Sequence, residues 1–361
     1  MQKKPAHNLL TSPSGRAHRR RHVTTMFSAL PHLRRSIATT SSCVSRRQYT
    51  FSALFDSNHL NLPRLPIPPL EDTLRRYEQS ITPLCVDDKE LQQTRATIDQ
   101  FRKSGGAELH AALVAQDQAQ AAEGTFPHFY FEDLWDSAYL DARCPNPVNI
   151  SPTFFMPTTP KKGSQSVRAA ELLSAAGRWL VHAREGRLQP DGLDMSRLGL
   201  IMGTARLPGQ KTDTLKHYGE VSTHVVVQRR SGEFHKVEIL TPDGKTALSA
   251  AAIQAALDSI SAASSSSSSS TSTSTSTSTS TSTSSSIGVG VLTSLPREEW
   301  YHARQHLLTS DVTGTNEKTL AEIDSALLMV ALDDLDAGND LTKYCRAGLH
   351  GVDTQTRTDK W

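Results

Sequence analysis

An α/β fold, with helices and short strands interleaved, is what this sequence predicts. Two observations carry that reading. Apolar residues recur at helical spacing in several separate stretches, and between them lie short β-branched runs around glycine-bearing turns. The 361 residues supply ample material for a buried core.

The elements follow in order. Pro63, Pro66, Pro68 and Pro69 fix an extended entry, because each proline restricts itself and the residue before it. Leu70, Leu74, Tyr77 and Ile81 then repeat at helical spacing, with Glu71 and Asp72 in the first turn, where the helix dipole favours acids. A second helix is expected from Asp87 to Lys103, with Leu91, Ile98 and Phe101 on one face and Gly105-Gly106 as its stop. A third runs from Ala107 to about Ala122, with Leu109, Leu113 and Val114 as its apolar side. From Phe126 to Phe155 the chain is rich in aromatics and punctuated by proline, and a short helix fits from Trp135 to Arg143.

Ser166 to Glu185 reads as a helix turning Val167, Ala170, Leu173, Leu180 and Val181 inward, with Gly186 as its cap. HVVVQ from His224 and EFHKVEIL from Glu233 flank a glycine-bearing turn and read as a β-hairpin. Thr241-Pro242-Asp243-Gly244 is a turn by composition, and Ala250 to Ile260 is helical. VGVLTS, ending at Ser294, is expected to be a strand, and a helix with Pro296 in its first turn follows it. Leu327 to Leu332 fits a buried strand or a helix end, and Leu341 to Leu349 a helix.

Composition narrows the function classes. Lys plus Arg is 39 and Asp plus Glu is 37, and a net charge of +2 argues against a dedicated nucleic-acid binder. Cys43, Cys85, Cys144 and Cys345 lie far apart with no C-x-x-C pair, which suggests reduced thiols rather than a zinc site or a disulfide framework. No apolar run approaches the ~18 residues of a membrane span. From Met1 to Leu54 there is no acid, while arginine, serine and threonine abound. That is the composition of a mitochondrial transit peptide over residues 1–54, with Met26 as an alternative start. Arg19-Arg20-Arg21 alone also fits a nuclear-localisation or nucleic-acid patch. Ser264 to Ser286 is a Ser/Thr repeat with no apolar residue, expected to be a disordered insert.

Several longer segments are specific. LPRLPIPPLEDTLRRY opens the body, and Trp135 to Arg143 reads W-x-x-x-Y-L-x-x-R. LDMSRLGLIMGTARLPG runs from Leu193 to Gly209 with Asp213 following, and Gly290 to Ser294 is followed by Arg297 and Trp300. Leu349-His350-Gly351 and Trp361 come last. In this order they resemble the choline/carnitine acyltransferase family over about residues 61 to 361, the Ser/Thr tract apart, and its mitochondrial long-chain members most. The resemblance implies part of a two-domain, chloramphenicol acetyltransferase-like architecture. Residues 61–263 and 287–361 would be portions of the acyltransferase domain on either side of the tract.

It also implies long-chain acyl transfer between coenzyme A and carnitine in fatty acid oxidation, in the mitochondrial matrix or on the matrix face of the inner membrane. Acyl-coenzyme A and carnitine would be substrates, with no bound cofactor, no metal and no nucleic acid. Peripheral contact with the inner membrane is a further expectation, weakened by the short connection between Pro190 and Leu193, where long-chain members carry an insert. The family's single base is a His in an H-x-x-x-D context, suited to the work by a pKa near the working pH. None of the fourteen His residues here has Asp four positions on; His350 has Asp353 at three. The resemblance places that base, the coenzyme A-binding stretch and the Ser-Thr-Ser motif beyond Trp361. No catalytic residue is therefore assigned, and the chain alone is expected to be inactive.

Trp135 and Tyr139 match family positions near the carnitine and acyl site. Their spacing of four puts them on one helix face, and aromatic faces suit a trimethylammonium group. Two core aromatics are the alternative. Arg143 is expected in a structural ion pair. Ser231, Gly232 and the Gly288/Gly290 pair lack phosphate-loop spacing. The alternative function is a non-catalytic binding or regulatory fragment of the same family.

Overall fold

The computed structural model describes residues 62–122, 130–146, 163–188, 196–229, 232–267, 288–332 and 340–350, with Ile150 and Phe154 besides. The leader, most of the Ser/Thr tract, the segment from Phe126 to Phe129 and Trp361 lie outside them. The fold class is the expected one: helices mixed with a two-stranded and a three-stranded sheet. The chain forms two compact units.

One unit is helical. α1 spans Leu70–Ile81, α2 Asp88–Phe101 and α3 Ala107–Ala122. Leu74 and Ile98 are buried, and the pairs Arg95–Glu78 (2.7 Å) and Arg102–Glu71 (3.0 Å) lace α1 to α2. The Asp87 carboxylate caps α2 by accepting from the Glu90 amide (2.8 Å). The expected stop at Gly105-Gly106 is absent. The chain passes instead through a π-helical turn, Arg102–Gly106, into α3. The reason is local. Gly106 does not take a left-handed conformation; it lies so close to the Phe101 ring that a Cβ would meet it at 2.9 Å. The glycine permits a close approach rather than a helix end.

The other unit is built on a sheet. β3 (His224–Arg229) and β4 (Phe234–Glu238) form the expected antiparallel hairpin, with Val225 opposite Val237 and Gln228 opposite Phe234. Gly232 in its turn has φ 85°. β5 (Met329–Leu332) adds to β3 in parallel, Val227 opposite Val330, so the last four residues of the ambiguous run 327–332 are a strand. α5 (Gln165–Arg184) and α6 (Ala250–Ser267) pack together on one face. Leu173, Leu180, Val225, Val227, Ile253 and Leu257 share that core. α6 runs further than expected, into the first residues of the Ser/Thr tract. On the opposite face lies α8 (Thr315–Ser325): the Glu322 carbonyl accepts from His224 Nε2 (2.9 Å), and its carboxylate pairs with Lys236 (2.7 Å). α7 (Arg297–Thr309) precedes it, and α9 spans Leu341–His350.

Three local expectations are corrected here. VGVLTS is not a strand but a 3-10 helix, Val289–Ser294; the Thr293 hydroxyl donates to the Gly290 carbonyl (2.7 Å), closing the turn three residues back. Pro296 stands just before α7 rather than in its first turn. The short helix is α4, Glu132–Leu140, and it ends three residues before Arg143. The antiparallel pair β1 (Thr204–Leu207) and β2 (Thr214–His217) was not expected from the pattern at all.

That pair exists to serve a buried ionic hub. The Asp213 carboxylate accepts from Arg143 Nη2 (2.7 Å), Arg206 Nε (2.7 Å), Arg297 Nε (2.6 Å) and the Gly209 amide (3.1 Å). Asp213, Arg206 and Arg297 are buried almost completely. The guanidiniums also reach main-chain carbonyls: Arg206 donates to Tyr139 (2.8 Å), and Arg143 to Gly209 (3.1 Å) and Lys211 (3.0 Å). The Asp213 amide donates to the Leu140 carbonyl (3.0 Å), and the Arg297 amide to that of Arg143 (3.0 Å). The end of α4, the β1–β2 loop and the start of α7 are thereby fixed to one another. Arg143 is the ion-pair partner expected from its position.

Burial pushes the Asp213 carboxyl upward, but the hydrogen bonds from Arg143 and the Gly209 amide and the charge of Arg297 outweigh it, so the net shift is down. Asp213→Asn removes the anion on which the three arginines converge and is expected to cost about 3–5 kcal/mol, read as a lower midpoint in urea. A depressed carboxyl contributes stability above its unfolded value of about 3.9 and loses it as the pH falls toward the folded value. The gap between parent and variant should be full at neutral pH and shrink below about pH 4. A gap that stays constant into acid contradicts this account.

Candidate functional site

α4 carries the site. Among its side chains, two stripes at a spacing of four lie next to each other. One stripe is Glu132, Asp136 and Leu140, all buried. The other is Phe131, Trp135 and Tyr139, and its rings form a stack: Phe131 and Trp135 have centroids 6.0 Å apart at 63°, Trp135 and Tyr139 5.4 Å apart at 45°. Helix geometry makes both stripes at once, since residues four apart share a face and residues one apart differ by about 100°. Glu132 sits in the first turn of the helix, where its dipole favours an acid.

The structure thus brings the two sequence-selected residues, Trp135 and Tyr139, side by side. Trp135 is 50% exposed and Phe131 41%, so the ridge is a surface and not a core cluster. A large aromatic held half in solvent, with a second ring tilted against it, offers electron-rich faces to a cation. The tip of the ridge is held from beneath, because the Tyr139 carbonyl accepts from Arg206 of the hub.

The buried acids of α4 meet a cation that sequence reading missed. Arg197, in the 3-10 turn Ser196–Leu200, places Nη2 2.8 Å from Glu132 and 3.0 Å from Asp136. Sixty-odd residues of chain separate the partners, so no local pattern pairs them. The spacing of the acids, one residue from each aromatic, was the available signal.

Two imidazoles elsewhere in the sheet unit, His217 and His224, are engaged. His217 Nδ1 lies 2.9 Å from the Thr204 hydroxyl, and its pKa is lowered by burial, with Glu220 opposing and Arg184 adding to the shift. His224 donates to the Glu322 carbonyl, as above. Among the described residues no group of three His, Cys, Asp or Glu is placed to hold a metal ion, and no helix is long and apolar enough to cross a membrane. A mostly apolar cleft lies between β4, α7 and α8, lined by Phe234, Trp300, Leu307, Leu320 and Ile323, with the Arg304–Asp324 pair among its polar groups.

Comparison with known proteins adds the following. The family model described as Choline/Carnitine o-acyltransferase matches residues 65–361. Carnitine O-palmitoyltransferase 2, mitochondrial, of Bos taurus is 29% identical, over 87% of this chain and 49% of its own length; that of Homo sapiens gives the same figures. The peroxisomal carnitine O-octanoyltransferase of Mus musculus is 27% identical, over 50% of this chain and 32% of its own. The chain spans about half the length of the palmitoyltransferases it matches. With its family match running through the α4 ridge, the Asp213 hub and the sheet, this chain belongs to the choline/carnitine acyltransferase family.

Proposed function

We propose that this chain is part of a mitochondrial carnitine O-acyltransferase of the long-chain type, with the α4 ridge as a wall of the carnitine site. The observation that carries the reading is the pair of half-exposed Trp135 and partly buried Tyr139, rings 5.4 Å apart, on a helix locked at one end by the hub. Carnitine bears a trimethylammonium group, which cannot donate a hydrogen bond and is best met by aromatic faces. The names of the palmitoyltransferase relatives support long-chain acyl-coenzyme A as the second substrate, and their mitochondrial designation supports the location, with the acid-free leader. In this reading the protein works on the matrix side, touches the inner membrane at most peripherally, and uses coenzyme A thioester and carnitine with no bound cofactor.

The role of this chain is binding and positioning. General-base removal of a proton from the carnitine hydroxyl or the coenzyme A thiol needs an imidazole oriented by a partner. No His here has Asp four positions on, which favours a second reading: a carnitine-binding fragment without catalysis of its own.

Two experiments test this. Titration of the purified chain with carnitine should change tryptophan emission, and 3-hydroxybutyrate, which lacks the ammonium group, should not. Trp135→Ala should weaken carnitine binding by about two- to thirtyfold, the range of one cation–π contact of about 0.5–2 kcal/mol. Equal responses to both ligands, or undiminished binding by the variant, would remove the ridge from the carnitine site. Incubated with palmitoyl-coenzyme A and carnitine, the chain alone should form no acylcarnitine; turnover would show that one of its own side chains supplies the base.

A further inference from the structure

We propose that Arg197 is a positioning residue, which sets the presentation of Trp135 and Tyr139 by holding the two acids on the neighbouring stripe of α4. The argument is geometric. A short helix is free to turn about its own axis unless both ends are tied. At its C-terminal end α4 is tied through main-chain carbonyls: Arg206 reaches Tyr139 and the Asp213 amide reaches Leu140. At its N-terminal half the tie is ionic, one guanidinium nitrogen 2.8 Å from Glu132 and 3.0 Å from Asp136.

Those two carboxylates are buried, and Arg197 is about a third exposed. Two like charges one helical turn apart repel, and burial strengthens that repulsion. A shared cation turns the arrangement from repulsive to attractive, and it does so in only one rotation of α4. Because each acid is directly preceded by an aromatic of the ridge, Phe131 before Glu132 and Trp135 before Asp136, that rotation also fixes where the rings point. The turn bearing Arg197 is itself anchored: Leu198 packs on the sheet core, and the Leu200 carbonyl accepts from the Thr204 hydroxyl (2.9 Å). The position of the turn before β1 is thus passed to the N-terminal half of α4 through Arg197. In the proposed function this is a residue that never touches carnitine yet governs how well it is held, so the inference rests on that reading for its consequence but not for its geometry.

The test uses the full chain labelled with 5-fluorotryptophan and followed by fluorine NMR. The Trp135 signal is assigned by Trp135→Phe. Trp179 and Trp300, in α5 and α7, report on the rest of the sheet unit. Arg197→Gln should shift or broaden the Trp135 signal alone, leave Trp179 and Trp300 in place, and weaken carnitine binding about tenfold. Arg197→Lys should restore most of both. A chain carrying Arg197→Gln with Glu132→Gln and Asp136→Asn, in which the two acids no longer repel each other, should recover the parent Trp135 signal in part. An unmoved Trp135 signal in Arg197→Gln overturns the proposal. So does a shift of the Trp135, Trp179 and Trp300 signals together that the triple variant does not relieve. If Trp135 moves as expected but carnitine perturbs it in no variant, the positioning stands and the carnitine reading of the ridge falls.

Discussion

One buried carboxylate organises this structure. Asp213 takes hydrogen bonds from three guanidiniums that the sequence delivers from three distant places: the end of α4, strand β1 and the start of α7. Beyond Asp213, guanidinium donors reach the main-chain carbonyls of Tyr139, Gly209 and Lys211. Such a cluster is an inefficient way to gain stability, since desolvating the charges offsets much of their attraction. What it provides is register. Arg143, Arg206 and Arg297 each fit in one geometry, so three segments with no continuous apolar face meet in one arrangement. Everything proposed about the α4 ridge depends on that meeting.

The sequence made the regular parts of the fold legible. α1, α5 and the β3–β4 hairpin follow apolar periodicity closely, because their burial is set by residues near in sequence. β1 was invisible for the opposite reason. Its buried residues include Thr204 and Arg206, and their burial depends on Asp213, Arg297 and His217 rather than on an apolar stripe. α8 has few apolar residues and begins after Gly314 at φ 69° with no side-chain cap, so neither period nor start signal marks it. At Gly106 and at Val289–Ser294 the residue types were read correctly as special, but the tertiary contact decided what they do.

The site divides the same way. Trp135 and Tyr139 were legible, because a spacing of four on a helix is a local rule. Arg197 was not, because its partnership with Glu132 and Asp136 spans two elements. The motif blocks that marked the family carry a further lesson. Arg143, Arg206, Asp213 and Arg297 come from three of those blocks, and all four belong to the scaffold beneath the ridge rather than to a reacting centre. A motif match in this chain therefore reports shared architecture first, and chemistry only through the surface that the architecture holds in place.

The central claim is that the hub transmits order from α7 to α4. Amide hydrogen exchange measured by mass spectrometry in Arg297→Lys addresses it directly, since lysine keeps the charge but cannot reproduce the Nε contact with Asp213. Faster exchange in Glu132–Leu140 and in the loop 208–213, far along the chain from the substitution, is the result this account predicts. Exchange altered around residue 297 alone, with α4 protected as in the parent, would contradict it.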